Sequence, residues 1–142
     1  PIVPPGKNRL EIEGAEFFLP TELATSLALV IHELATNCLK YGSWSNDKGR
    51  TAVGWNLEQH DGQESDLVLT WRESGGPAVT TPERSSFGTQ LIERTLPDAK
   101  VERTFAPAGL ACAITLHIRN LNTLKNGIRP RREDGETFTF SR

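Results

Sequence analysis

The 142-residue sequence is poor in several features, and each scarcity argues against a class of protein. Its formal net charge is only −2, so it offers no strong field to attract nucleic acid, and we expect no DNA or RNA partner. No apolar run approaches the length of a membrane span and no signal peptide is visible, so we expect no membrane contact from this chain. Three histidines and two distant cysteines lack the spacing of a zinc site. We interpret the two cysteines, Cys38 and Cys112, as buried free thiols, which indicates a reducing compartment, most simply the cytoplasm.

Methionine is absent and the chain opens with Pro1, so we expect a segment of a longer protein. The length fits one compact domain. Hydrophobic residues at 37% and charged residues at 24% are typical of a folded globular domain and argue against disorder.

Local patterns predict an alternation of strands and helices. Pro20-Thr21-Glu22 is typical of a helix start, and Gly42 predicts a left-handed cap after a helix that reaches about Tyr41. A polar loop is expected at 43–50, and the Gly-, Pro-, Ser- and Thr-rich stretch 74–86 is long enough to form a lid. Strands are predicted at 10–19 (a short strand or a hairpin), 51–59, 66–73, 99–106 and 110–118, with a second helix at 87–96.

This order predicts an α/β two-layer sandwich, in which helices cover one face of a mixed sheet. We expect an extended segment at 1–9, the domain itself at 10–118 and a polar, basic tail or linker at 119–142. Trp71 and Glu73 alternate on one strand, so both should face the same side, with Trp71 in the core. Trp44 and Trp55 are assigned to packing, His60 is expected to be solvated beside a turn, and His117, at the end of a strand, is expected to have no role.

The first predicted helix carries a line of polar residues within HELATNCLKYG, residues 32–42. Glu33, Asn37 and Lys40 follow the i, i+4, i+7 spacing of one helix face. An apolar stripe lies about a third of a turn away and should pack on the sheet; it comprises Leu23, Leu27, Ile31, Leu34 and Cys38. An amide oxygen suits Mg²⁺, a carboxylate can orient or deprotonate a nucleophile, and an ammonium can offset phosphate charge. On these residues alone, a solvated face with a Glu–Lys pair is favoured over a site, because Glu-x-x-x-Asn is a common pattern.

Several motifs together resemble the GHKL ATPase superfamily. Glu33 to Asn37, followed by Lys40-Tyr41-Gly42, resembles its N box. Gly75-Gly76 and the later Phe87-Gly88-Thr89-Gln90-Leu91 resemble the glycine boxes that flank its ATP lid. His32 directly before Glu33, and Trp71-Arg72-Glu73 before Gly75, are similar to the marks of the HWE family of sensor histidine kinases. The resemblance covers roughly residues 10–118 and implies the Bergerat-type α/β sandwich with an ATP lid.

The resemblance also implies roles for individual residues. Asn37 would be the Mg²⁺ ligand, and Glu33 would act as general base or orient the acceptor. Glu73 would accept a hydrogen bond from the adenine amino group, in place of the aspartate of most relatives. Further nucleotide contacts would come from Lys40 and Tyr41 near the phosphates, from Gly75, Gly76 and Gly88, whose backbone approaches the nucleotide, from Phe87 and Thr89 at the second helix, and from Arg84 in the lid.

The implied function is that of the ATP-binding catalytic domain of a two-component sensor histidine kinase. It would transfer the γ-phosphoryl group of Mg-ATP to a histidine on a dimerisation hairpin outside this chain, and a response-regulator receiver domain would then take the phosphate. His32 lies about 100° around the helix from Glu33 and is not expected to be the acceptor. Ser86 stands where the family usually has glycine, which predicts weaker ATP affinity or a different lid. A GHKL-type anti-sigma serine kinase and a non-catalytic nucleotide-binding or docking module are the alternatives.

Overall fold

A computed structural model of the chain describes residues 8–61, 64–78, 93–96 and 98–119. In chain order these residues form strand β1 (Leu10–Gly14), helix α1 (Thr21–Lys40), a 3₁₀ turn (Ser43–Ser45), and strands β2 (Arg50–Gln59), β3 (Glu64–Ser74), β4 (Lys100–Ala106) and β5 (Gly109–Arg119). Residues 93–95 are helical, in line with the end of the second helix predicted at 87–96; the remainder of that helix, most of the predicted lid and the tail from residue 120 lie outside the described residues.

The five strands form one mixed sheet in the order β1-β2-β3-β5-β4. β1 pairs in parallel with β2, from Leu10 opposite Thr51 to Gly14 opposite Trp55, and the other pairs are antiparallel. Parallel neighbours need a crossover connection, and α1 supplies it between β1 and β2. The mixed sheet is therefore confirmed, but the hairpin considered at 10–19 is wrong because β1 finds its partner in β2, across the whole helix.

Helix α1 begins where the sequence predicts and ends one residue early. Pro20 is the N-cap with φ −53° and ψ 143°, and Glu22 and Lys40 place opposite charges at the two ends, which complements the helix dipole. The left-handed cap expected at Gly42 is wrong: this residue has φ −102° and ψ −153°, which is extended backbone. Its N–H instead bonds the carbonyls of Asn37 and Cys38 at 3.2 and 3.1 Å.

The core lies between α1 and one face of the sheet. Alternate residues of β3 and β5 point toward the helix and are buried, among them Leu67, Leu69 and Trp71 on β3 and Ile114 and Leu116 on β5. This alternation confirms that Trp71 and Glu73 share a face and that Trp71 is a core residue. Across the described residues, no helix combines the length and the apolar character that crossing a membrane requires.

The buried stripe of α1 is rotated from the expected one. Val30 is completely buried, together with Leu27, Leu34 and Cys38, whereas Ile31 is 36% exposed. Successive helix residues are about 100° apart, so turning Val30 toward the sheet moves Ile31 to the margin of the interface. Placing Ile31 in the core was therefore wrong.

The segment after α1 is more buried than the polar loop predicted at 43–50. Ser43, Trp44 and Gly49 are all buried. Trp44 packs edge-on against Trp71, with ring centroids 5.8 Å apart and an interplanar angle of 62°. Trp55 is half-buried, and its Nε1–H donates to the carbonyl of Ala15 at 2.8 Å. The packing roles of all three tryptophans are thus confirmed, and the polar loop at 43–50 proves to be partly internal.

Candidate functional site

The polar line predicted on α1 lies within one continuous helix. Glu33 and Asn37 are half-buried and Lys40 is exposed in the last turn. Within the described part of the chain no ion pair joins Glu33 to Lys40, so the Glu–Lys pair of the alternative interpretation does not form there. The line therefore follows the rim of the core, with an amide and a carboxylate one helical turn apart.

The backbone of Asn37 closes the end of the helix. Its carbonyl accepts the N–H groups of Tyr41 at 2.8 Å and Gly42 at 3.2 Å. The main chain at Asn37 is therefore fixed by two hydrogen bonds. Tyr41, the next residue after the helix, is 73% exposed.

Glu73 is the one buried carboxylate among the described residues, with 8% exposure. The Ser43 N–H donates a long hydrogen bond of 3.4 Å to its Oε1. Burial raises the pKa of Glu73, while the Cys38 thiol, the Ser43 N–H and the Trp71 indole, in that order, lower it. The Trp71 Nε1–H nevertheless has no partner at normal hydrogen-bond geometry among the described residues. Burial outweighs these donors, so the charged form of Glu73 is only partly compensated.

Three small polar side chains surround this carboxylate. Thr51 on β2 lies directly opposite Glu73 on β3. The hydroxyls of Ser43 and Thr51 are 2.8 Å apart, and the Cys38 sulfur is 3.2 Å from Ser43 Oγ and 3.4 Å from Thr51 Oγ1. Burial, followed by the nearby Glu73, raises the pKa of the Cys38 thiol. We call Glu73, Cys38, Ser43 and Thr51 the buried polar cluster.

Of these four residues, the sequence predicts a base-binding role only for Glu73; Cys38 is expected as a buried thiol of the apolar stripe, and no role is predicted for Ser43 or Thr51. Cys38 directly follows Asn37 and Ser43 directly follows Gly42, yet both resemble ordinary small residues. Thr51 is a β-branched residue at the start of a strand, where threonine is common. The alternation of β2 could have revealed Thr51, because Thr51, Val53 and Trp55 share one face of the strand. Pairing with β3 places the polar Thr51 at the buried end of that face, opposite Glu73.

The glycines of the two motifs bring the end of α1 against the end of β3. A Cβ on Gly42 would lie 2.1 Å from Glu73 Oε1, so only glycine allows this approach. Gly75 has φ +69°, a backbone conformation that residues other than glycine rarely adopt. A Cβ on Gly76 would lie 2.6 Å from the Ser43 Cα. The N box and the first glycine box are therefore in direct contact around Ser43.

Part of the predicted site lies beyond the described residues. Arg84, Phe87, Gly88 and Thr89, together with Ser86, belong to this part, so their nucleotide contacts stay predictions. Within residues 8–61, 64–78, 93–96 and 98–119, no group of three or more His, Cys, Asp or Glu side chains is arranged to hold a metal ion.

A second polar cluster lies on the opposite, exposed face of the sheet. Asp66 bonds His60 Nε2 at 2.8 Å through one oxygen and His117 Nδ1 at 2.9 Å through the other. His117 Nε2 is 3.6 Å from Glu64. The hydrogen bond that Asp66 accepts from His60 raises the pKa of His60, and the two histidines, His117 first, lower the pKa of Asp66. The two histidines are therefore coupled through one carboxylate, and His60 is exposed, as expected.

Comparison with known proteins identifies the family. No family model matches the sequence. The chain is 37% identical over 116 residues to blue-light-activated histidine kinase 1 of Erythrobacter litoralis, covering 78% of this chain and 31% of that protein. It is 38% identical over 106 residues to the blue-light-activated histidine kinase of Brucella anthropi, covering 72% of this chain and 21% of that protein. The chain thus spans about a third or less of the length of these relatives.

Solved structures agree on the fold. The histidine kinase domain of the Erythrobacter litoralis EL346 blue-light-activated kinase superposes with a TM-score of 0.53 at 17% identity, over 85% of this chain and 59% of that one. A longer structure of the same kinase gives a TM-score of 0.54 at 16% identity, over 83% and 36%. The mixed sheet and α1 define an α/β domain with the fold of the histidine kinase catalytic domain. Together with the sequence relatives, this shows that the chain belongs to the histidine kinase family.

Proposed function

We propose that this chain is the ATP-binding catalytic domain of a sensor histidine kinase of the HWE type. The observation that carries the proposal is the buried carboxylate of Glu73, which lies against the end of the helix that bears Glu33 and Asn37. His32 and the Trp71-Arg72-Glu73 sequence support the HWE assignment. The cytoplasmic location remains our expectation, supported by two buried free thiols, Cys38 and Cys112.

Glu73 is suited to recognise the base. A carboxylate has about four lone-pair sites, and the Ser43 N–H uses one of them at 3.4 Å. An exocyclic amino group, such as that of adenine, could donate to a remaining one. A buried charge–amino contact discriminates well, because a base with a carbonyl at that position would leave the carboxylate without a donor.

The α1 line is suited to the triphosphate. Asn37 offers a neutral, half-buried amide oxygen of the kind that fits Mg²⁺, which keeps several waters and takes phosphate oxygens. Mg²⁺, when bound, would neutralise phosphate charge. Lys40 is exposed in the last helical turn and can reach outward to phosphate, beside Tyr41. Glu33, one turn before Asn37, would orient or deprotonate the acceptor. The backbone of Gly75 and Gly76 would approach the nucleotide.

We further propose that the γ-phosphoryl group passes to a histidine on a dimerisation hairpin of the whole protein and then to a receiver domain. For this step the described residues supply positioning and charge, the main sources of catalysis in phosphoryl transfer. The chain alone should therefore bind Mg-ATP but incorporate no label from ATP onto its own histidines. A stable phosphoserine formed on a separate protein would instead support the anti-sigma serine kinase alternative.

Calorimetric titration with ATP, with and without Mg²⁺, tests the nucleotide site. The Asn37→Ala variant should lose roughly tenfold or more of the Mg²⁺-dependent affinity, since metal-ligand networks carry effects of that size. Asn56→Ala removes an exposed asparagine from the other face of the sheet and is the matched control. Unchanged Mg²⁺ dependence in the Asn37 variant, with normal folding, would remove the basis for the site.

The role of Glu33 needs a separate measurement. Glu33→Gln should bind Mg-ATP like the unaltered chain, because the amide keeps the size of the side chain. In the whole protein it should lose phosphoryl transfer to the acceptor histidine. Full transfer activity with this variant would exclude Glu33 as the base or orienting group.

A further inference from the structure

Arg9 lies just before β1, outside every motif of the family resemblance, and binds the loop that follows α1. Its Nε donates to the carbonyl of Gly49 at 2.8 Å, and its Nη2 donates to the carbonyls of Ser43, at 3.0 Å, and Asn46. Its own carbonyl accepts the N–H of Thr51 at 2.9 Å. One guanidinium therefore satisfies three carbonyls of the segment Ser43–Gly49, which we call the Ser43–Gly49 loop.

The other side of this loop is attached to the first glycine box. Asn46 Nδ2 donates to the carbonyl of Gly75 at 3.2 Å. Asn46 Oδ1 accepts the N–H groups of Lys48 at 3.0 Å and Gly49 at 2.8 Å, which closes the loop on itself. The loop is thus held between Arg9 on one side and the Gly75 turn on the other.

Ser43 connects this loop to the buried polar cluster. Its carbonyl accepts from Arg9, its N–H donates to Glu73, and its hydroxyl is 2.8 Å from that of Thr51. The contact to Glu73 is long, at 3.4 Å, so a small displacement of Ser43 would break it. Arg9 therefore binds the carbonyl of Ser43, and Glu73 binds the N–H of the same residue.

We propose that Arg9 is a positioning residue for base recognition: by fixing the Ser43–Gly49 loop, it holds the Ser43 N–H against Glu73 and so sets the affinity and selectivity for an adenine nucleotide. The inference rests on the proposed function, because it takes Glu73 as the acceptor of the adenine amino group. The planar fork of arginine suits this task, since it reaches several carbonyls from one side chain, whereas lysine offers a single ammonium.

The test compares Arg9→Met with Arg50→Met, a matched change at an exposed arginine that begins β2. Each variant is titrated with Mg-ATP, Mg-GTP and inorganic triphosphate at temperatures well below its unfolding midpoint. Arg9→Met should bind Mg-ATP roughly tenfold more weakly, as expected for a weakened contact to a charged group, with a smaller preference over Mg-GTP. Binding of inorganic triphosphate should not change, because the phosphate groups do not use Glu73. Arg50→Met should match the unaltered chain in all three titrations.

A pH profile separates positioning from a general loss of structure. The Ser43 N–H lowers the pKa of Glu73, so losing it lets that pKa rise further. Adenine needs the ionised carboxylate as acceptor; hence the loss of Mg-ATP affinity on acidification should begin at higher pH in Arg9→Met. A destabilised but correctly arranged site would keep the original profile.

The outcomes distinguish the inference from the function on which it rests. Folded Arg9→Met with unchanged Mg-ATP affinity and pH profile overturns the positioning role, and the proposed function survives if Glu73→Gln still weakens binding. If Glu73→Gln also binds normally, the base site itself is wrong. Should Arg9→Met fail to fold, Arg9→Lys is measured instead: it should show a smaller loss in the same direction, and wild-type behaviour would contradict the inference.

Discussion

Replacing Gly42 with alanine should disturb the candidate site more than it disturbs the fold. An alanine Cβ would lie 2.1 Å from Glu73 Oε1 and 2.9 Å from the Cys38 Cα. Ordinary contacts between heavy atoms lie near about 3.5–4 Å, so the carboxylate must move by more than about 1 Å. The carboxylate ends a flexible side chain and can move, whereas the Cys38 backbone belongs to α1 and cannot move as freely. The change therefore separates Glu73 from Ser43.

The expected loss of stability is moderate. Overpacking of this kind costs about 1–3 kcal/mol. The backbone at Gly42 has φ −102°, which alanine adopts without strain, so the smaller entropy of the unfolded chain offsets about 0.4–1 kcal/mol. We expect a net decrease of about 1–2 kcal/mol in the free energy of unfolding. The affinity for Mg-ATP should fall by roughly tenfold or more, because the displaced carboxylate no longer meets the base.

Urea unfolding and calorimetric titration measure the two effects separately. Gly54→Ala is the matched control, because its Cβ would lie 3.2 Å from Thr70 Oγ1 and 3.5 Å from the Glu13 carbonyl, which needs only a small adjustment. It should stay within about 0.5 kcal/mol of the unaltered chain and bind Mg-ATP normally. If Gly42→Ala proves as stable as Gly54→Ala and keeps full Mg-ATP affinity, the contact between Gly42 and Glu73 does not shape the site.

Three other changes test the same structure. Because burial raises the pKa of Glu73, its ionised form disfavours the folded state, and the stability of the protein falls as pH rises through the folded pKa. At neutral pH, Glu73→Gln should therefore have an equal or higher urea midpoint of unfolding, yet bind Mg-ATP about 10- to 100-fold more weakly. A destabilised variant with normal Mg-ATP binding would contradict this expectation. Asp66 raises the pKa of His60, so the pair stabilises the fold fully below the ordinary histidine pKa, and this stabilisation is lost as pH rises through the folded pKa. In Asp66→Asn, the urea midpoint of unfolding should therefore change less with pH across this range. An unaltered profile would show that the pair is not coupled in solution. Leu34→Ala, at 7% exposure, should cost about 2–5 kcal/mol in urea unfolding, whereas Leu29→Ala, at 48% exposure, should be near neutral, and equal effects would refute the orientation of α1.

The regular elements could be predicted from the sequence because their patterns report directly on a buried face. The helix start at Pro20-Thr21-Glu22 is confirmed. The strands predicted at 51–59, 66–73 and 110–118 match β2, β3 and β5 within two residues at each end. In each of these strands, apolar residues recur at every second position on the face that packs toward α1. This period of two can be seen in the sequence without knowing which element packs against the strand.

The predictions that failed concern residues whose conformation depends on contacts with residues distant in sequence. Gly42 has the sequence of a left-handed cap, but its lack of a side chain serves the approach of Glu73, which lies on another element. The loop after α1 is polar in sequence, yet Arg9 binds three of its carbonyls and Asn46 Oδ1 accepts two of its N–H groups, which permits part of the loop to be buried. Local propensity carries no information about either partner.

The buried polar cluster argues that Glu73 has a purpose beyond packing. A carboxylate at 8% exposure is costly unless its charge is well paired, and an apolar residue at that position would pack against Trp71 without such a cost. Instead, Glu73 receives a long bond of 3.4 Å from Ser43, the nearby Cys38 and Trp71 compensate its charge only in part, and burial dominates its pKa. A site that keeps a charged acceptor incompletely satisfied is suited to a donor from a ligand. The geometry that Arg9 and Gly42 impose around Ser43 would then set how well that donor, the amino group of a base, is received.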